Sequence, residues 1–222
     1  MHNENHYIKK LESVIKQMLV PIKDVPFNLV IEHLSGHRVL KFDRSNNRNK
    51  ALLKDLIEAT KLAGASINKR GIKRSRPNEV GNDMEIFLID AFKKIGYKAG
   101  TPTTSGGKKK VVGYPDIEVI DNLGTTHYVE AKTFNLENVG TTQRSFYFSP
   151  STEFKVSKDA YHFVISFEAA VSGRRGCNNL YMVKSWKILS IEELPVDVKY
   201  EFNSDNARLY SGKLILAEGR FD

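Results

Sequence analysis

The chain has 222 residues, 41% hydrophobic and 10% aromatic, enough for one domain with a full core or for a core domain with a small attached subdomain. No apolar run approaches the roughly 18 residues that span a bilayer, the first residues lack a secretory apolar stretch, and the single cysteine, Cys177, excludes an internal disulfide; together these point to the cytoplasm. Lys and Arg number 34 against 26 Asp and Glu, and the net charge of +8 favours a polyanionic partner, nucleic acid above all.

The first element is a helix over residues 6–20, where Tyr7, Ile8, Leu11, Val14, Ile15, Met18 and Leu19 recur at helical spacing until Pro21 and Pro26 break it. VPFNLVIEHL reads as a short strand or another helix. A second helix is predicted over 49–64, with Ala51, Leu52, Leu56, Ala59 and Ala63 on one side and Gly64 at its end. The basic run that follows, with Lys69, Arg70, Lys73, Arg74 and Arg76 around Gly71 and before Pro77, reads as a connector or loop. It marks a soft boundary between a helical N-terminal subdomain with its connector, residues 1–77, and a core, residues 78–222, unless all form one domain.

The core opens on a helix over 82–95 with Met84, Phe87, Leu88, Ala91, Phe92 and Ile95 along one face. A Gly- and Lys-rich loop precedes two strand-like runs, IEVI and THYVEAK, joined by a DNLG turn. RSFYFS (144–149), YHFVISF (161–167), NLYMVKSW (179–186) and RLYSGKLIL (208–216) also read as strands, and IEELP (191–195) as one helical turn. One helix followed by many strands predicts a mixed α+β (α/β) domain, a central mixed sheet flanked by helices, with a helical N-terminal extension.

Residues two apart on a strand share a face, so Asp116 and Glu118 point one way, and Tyr128, Glu130 and Lys132 share a face opposite Val129 and Ala131. If the strands pair, carboxylates from neighbouring strands meet. Such a cluster suits a hard cation, which takes one or two carboxylates and leaves positions for water and phosphate oxygens. A lysine beside it stabilises phosphate charge or, with a depressed pKa, helps deprotonate water. The competing reading is a solvated hairpin face with Lys132 paired to Glu130 or Asp116. The histidines have no zinc spacing, His127 and His162 read as structural, Cys177 has no reactive motif around it, and no P-loop is present.

Pro115-Asp116 followed by Glu130-Ala131-Lys132, with a helix ahead, resembles the PD-(D/E)XK nuclease signature. The resemblance covers roughly residues 80–135 by motif and reaches 168 by strand order. It implies a restriction-endonuclease-like fold, Mg²⁺ held by Asp116, Glu130 and the Ala131 carbonyl, and Lys132 placed at the attacking water. The family often adds an acid from the preceding helix, and Glu85 is the candidate; Asn82 and Glu85 also fit a helix cap and its N3 partner. Glu118 either reaches the site or pairs with a basic side chain.

The DNA-contacting candidates are the 69–76 cluster; Lys108, Lys109 and Lys110 after Gly106 and Gly107; Gln143 and Arg144 after the second motif; and the Arg174–Arg175 turn. The size and the single core resemble those of orthodox type II restriction endonucleases. That implies a homodimer cutting double-stranded DNA at a short site to leave 5′-phosphate and 3′-hydroxyl ends, with a methyltransferase protecting the same site. The alternatives are a repair, phage or branched-DNA nuclease of the same fold, and a non-catalytic DNA-binding protein.

Overall fold

The computed structural model describes residues 2–20, 22–76, 79–109, 113–142, 144–151, 153–200, 204–211, 214–217 and 220, with side chains from His6 onward. In chain order its first elements are α1 (His2–Met18), β1 (Ile22–Pro26), α2 (Phe27–Ser35), α3 (Asn47–Arg70), β2 (Ile72–Arg74), α4 (Val80–Lys94) and β3 (Lys98–Gly100). There follow β4 (Ile117–Ile120), β5 (Thr126–Phe134), β6 (Tyr161–Arg175), β7 (Asn178–Ser190), β8 (Pro195–Val198) and α5 (Asn206–Leu209).

The chain divides into two compact units, residues 1–25 with 196–222, and residues 26–195. In the first, α1 forms as its periodicity predicts, with Tyr7, Ile8, Leu11 and Ile15 exposed. Strands β1 and β8 pair as a two-stranded sheet. Among the described residues of 208–216 the expected strand is not found: Asp205 accepts from the Arg208 N–H (2.8 Å) and caps the single turn α5. Leu209, Leu214 and Leu216 are exposed, so these apolar side chains do not join a core.

The second unit is built on a six-stranded sheet ordered β2-β7-β6-β5-β4-β3. Only β5 and β6 run parallel; the other neighbours are antiparallel. Helix α3 starts where the Asn46 side chain accepts from the Arg48 and Asn49 N–H groups, and it runs past the predicted end because nothing breaks it before Gly71. Gly71 has φ +68° and ψ 150°, a backbone conformation that strains any residue with a Cβ, and a Cβ there would also push aside the Leu180 side chain on β7. Leu52, Leu56, Ala59, Ala63 and Ile67 of α3 join Val80, Met84, Leu88 and Phe92 of α4 in one core against a single sheet face: Ile117, Val119, Val129, Ala131, Ile165, Phe167 and Tyr181. Each fully buried Leu or Phe contributes about 1.5–3 kcal/mol through burial.

Three further elements differ from the reading of the sequence. The basic 69–76 run is not a loop: Lys69 and Arg70 end α3, and Ile72–Arg74 is edge strand β2, drawn onto β7 by burial of Ile72. The 144–149 run is not a strand. Its alternation instead lodges Phe146 and Phe148 in a cluster with Phe27, Tyr114 and His162, ring centroids 5.5–5.9 Å apart, while Arg144 and Tyr147 face outward. Alternation reports a two-faced extended segment; it does not supply a pairing partner. IEELP forms a turn rather than a helix, and its Glu192 and Leu194 carbonyls accept from the Asn28 and Phe27 N–H groups at the start of α2 (3.0 and 2.9 Å).

Candidate active site

The two predicted motifs meet at the end of the β4–β5 ladder. That ladder stops at the Ile117–Val129 pair, so the Ala131 N–H lies beyond it; Asp116, just before β4, accepts this N–H through Oδ2 at 2.9 Å. On β5, Ala131 turns into the helix-covered core, so Glu130 and Lys132 point to the opposite face. Glu130 is buried, one of its oxygens lies 2.7 Å from the Lys132 ammonium, and Oε2 has no hydrogen-bond partner among the described residues.

Burial and the Asp116 charge push Glu130 up to about 7, against the pull of Lys132. Burial also raises Asp116, opposed by the Ala131 N–H and by Lys132 and Lys155. Glu85 on α4 is pushed up to about 7 by burial and then by Asp116 and Glu130. The structure thus brings Glu85 into electrostatic reach of the two motif carboxylates. The capping account of Glu85 is overturned: α4 begins at Val80, its N-cap Glu79 makes no side-chain cap, and Asn82 and Glu85 lie inside the helix. Like charges crowded in a poorly solvated place repel, and a cation relieves that repulsion. Two carboxylates and a nearby backbone carbonyl are hard oxygen donors of the kind Mg²⁺ takes, with water completing the shell. Among the described residues no cage of three or more His, Cys, Asp or Glu side chains exists.

Lys155 was not singled out from the sequence. It is 2% exposed, its ammonium donates to the carbonyls of Gly113 and, at 2.7 Å, Pro115, and its charge lowers the pKa of both Asp116 and Glu85. Its neighbours in the chain, Phe154 and Val156, are buried with it. The loop bearing Asp116 is fixed a second time by Tyr114, whose hydroxyl is hydrogen-bonded to Nδ1 of His162 at 2.6 Å. Burial alone pushes the His162 imidazole down to about 3, so it is neutral. Glu118 takes the second of its two expected places, 3.5 Å from the Lys158 ammonium. His127 is likewise structural, held by Asp121 at 3.1 Å.

The basic candidates sit on separate elements. Arg144 stacks on Tyr147 (4.9 Å), and the Lys132 ammonium lies 5.9 Å from the same ring, so this pair borders the carboxylates. Arg74 is taken up by both oxygens of Asp83 at 2.7 Å, and Arg70 covers Phe87 at 5.5 Å. Lys69, Lys73, Arg76, Lys108 and Lys109 are exposed, as are Arg174 and Arg175 at the end of β6. Lys110 and Gln143 lie outside the described residues. A cavity of about 110 Å³ lined by Arg48, Asp55, Tyr97, Asp121 and His127 contains none of the motif residues.

The chain belongs to a family of type II restriction enzymes: residues 21–213 match the type II restriction enzyme MjaV family. It is 36% identical over 231 aligned positions, covering 97% of this chain and 98% of the relative, to the type II restriction enzyme MjaV of Methanocaldococcus jannaschii. No solved structure matches the chain.

Proposed function

We propose that the chain is a PD-(D/E)XK endonuclease that uses Mg²⁺ to hydrolyse double-stranded DNA at a specific short site, leaving 5′-phosphate and 3′-hydroxyl ends. Glu130 carries the reading: one oxygen rests on Lys132, and the other is buried against the Asp116 carboxylate with no hydrogen-bond partner found among the described residues. An orphaned anionic oxygen in such a place is suited to a cation. Asp116, Glu130 and the Ala131 carbonyl would hold Mg²⁺, with Glu85 as the additional acid. Bound there, the cation acidifies water and offsets charge developing on the phosphate oxygens.

The chain's own groups do the rest. The Ala131 N–H fixes Asp116, Glu130 fixes Lys132, and Lys132 orients the attacking water. DNA contacts come from Arg144 beside Lys132 and from the exposed Lys69, Lys73, Arg76, Lys108, Lys109, Arg174 and Arg175. One such site per chain suits a homodimer, whose twofold axis brings one site to each strand of a palindrome. A methyltransferase of the same sequence specificity would protect host DNA. The test is incubation with long duplex DNA, with and without Mg²⁺. Discrete fragments only with Mg²⁺ support the reading; binding without cleavage overturns it.

A further inference from the structure

Strands β6 and β7 outrun the core. Residues 171–178 are all exposed, and the antiparallel pairing continues through them to Arg175–Asn178, closed by Gly176 at φ +63°. β6 runs parallel to β5 with Ser166 opposite Lys132, so the ribbon leaves the sheet in the direction in which the motif strand runs. At ~3.3 Å per residue, the stretch from Ser166 to Arg175 spans up to roughly 30 Å. Irregularities after Phe167 and after Val171 bend it on the way.

The two faces of the tip differ. Ile72 and Tyr181 are register partners that point into the α3–α4 core. Alternation therefore puts Arg74, Asn179 and its cross-strand partner Arg174 on the helix side. Lys73, Leu180, Asn178 and its partner Arg175 fall on the side of Glu130 and Lys132. On the helix side Arg74 is held by Asp83, and Asn179 donates to the Tyr181 hydroxyl at 3.4 Å. On the active-site side neither Arg175 nor Asn178 makes an ion pair or a side-chain hydrogen bond to a described residue, and both are exposed.

We propose that this ribbon enters the major groove of the duplex and that Arg175 and Asn178 read base edges there, while Arg174 serves binding alone. The inference rests on the nuclease reading above and adds the element that sets its sequence specificity. The major groove, about 12 Å wide, admits a two-stranded ribbon; an arginine fork matches guanine O6 and N7, and an asparagine amide matches adenine N6 and N7. Cross-strand partners about 5 Å apart address neighbouring base pairs, which are stacked about 3.4 Å apart. The positive tip complements the charge of the groove's phosphate walls.

The test sequences the ends cut from a random-sequence duplex library. A parallel selection of bound duplexes in a Lys132→Ala background gives a readout that needs no cleavage. Arg175→Ala and Asn178→Ala should each reduce preference at one purine position by about ten- to a hundredfold. Arg175→Lys should bind but lose that preference, because it keeps the charge and not the fork. Arg174→Ala should weaken binding and keep the preference at every position. The inference is overturned if the Arg175 and Asn178 variants retain the wild-type preference, or if Arg174→Ala loses a base position as they do. A wild-type protein that cuts no duplex overturns the nuclease reading, whereas the roles of Arg175 and Asn178 are still decided by the selection of bound duplexes.

Discussion

The Lys155 ammonium donates to the Pro115 carbonyl at 2.7 Å, and through that contact a fully buried cation grips the peptide immediately before Asp116. Its second acceptor is the Gly113 carbonyl. Lys155→Met leaves both carbonyls without this donor, at a cost of about 1–3 kcal/mol each. The expected result in urea unfolding is a loss of roughly 2–5 kcal/mol, accompanied by loss of cleavage under conditions where the variant remains folded. Wild-type stability together with full cleavage would show that Lys155 does not hold the Asp116 loop.

The carboxylate cluster makes Mg²⁺ stabilisation depend on pH. Glu130 and Glu85 have folded pKa values pushed up to about 7, above their ordinary carboxyl values. Their contribution to the metal-free fold is therefore complete at acid pH and is lost as pH rises through about 7, because the folded state holds protons that the unfolded chain has released. A cation takes the place of those protons. The rise in melting temperature caused by Mg²⁺ should be larger at pH 8 than at pH 5.5. An equal rise at both would argue against a cation site at Glu130.

Glu85→Gln separates stability from metal affinity. Removing one of three mutually repelling charges should raise the melting temperature of the metal-free protein at pH 8. It should also weaken Mg²⁺ binding, as read by calorimetry. A variant that lost metal-free stability without losing affinity would make Glu85 a packing residue.

His162 contributes in the opposite direction on the pH scale. Its folded pKa is pushed down to about 3 by burial, so the unfolded chain binds the extra proton below its ordinary value of about 6.5. Stability from this group is present above that value and lost as pH falls, by about 1.4 kcal/mol per pH unit. His162→Gln should flatten the dependence of unfolding free energy on pH between 6 and 4 by about that slope. An unchanged slope would mean that the ring is already charged in the folded protein.

Helix positions were legible because α3 and α4 carry the apolar stripe that a one-sided core demands. The hairpin was legible from strand alternation around a DNLG turn. Alternation also separated Ala131 from Glu130 and Lys132, and the structure puts them on opposite faces. What failed was pairing. RSFYFS alternates as a strand does, yet its Phe146 and Phe148 serve an aromatic cluster with no ladder. The basic run around Gly71 hid Ile72, a single buried residue sufficient to dock an edge strand. Lys155 was invisible because its partners are backbone carbonyls some 40 residues away, which leave no mark on side-chain pattern. Glu85 could be placed only once the start of α4 was known, and that start depends on packing rather than on the Asn82 cap signal.

Whether Glu130, Asp116 and Lys132 form a hydrolytic site is decided at Lys132. Cleavage and binding of the same duplex should be measured for wild type and Lys132→Ala in Mg²⁺. The variant should bind DNA nearly as wild type does and should not cut it. Cleavage at the wild-type rate by Lys132→Ala would contradict that assignment.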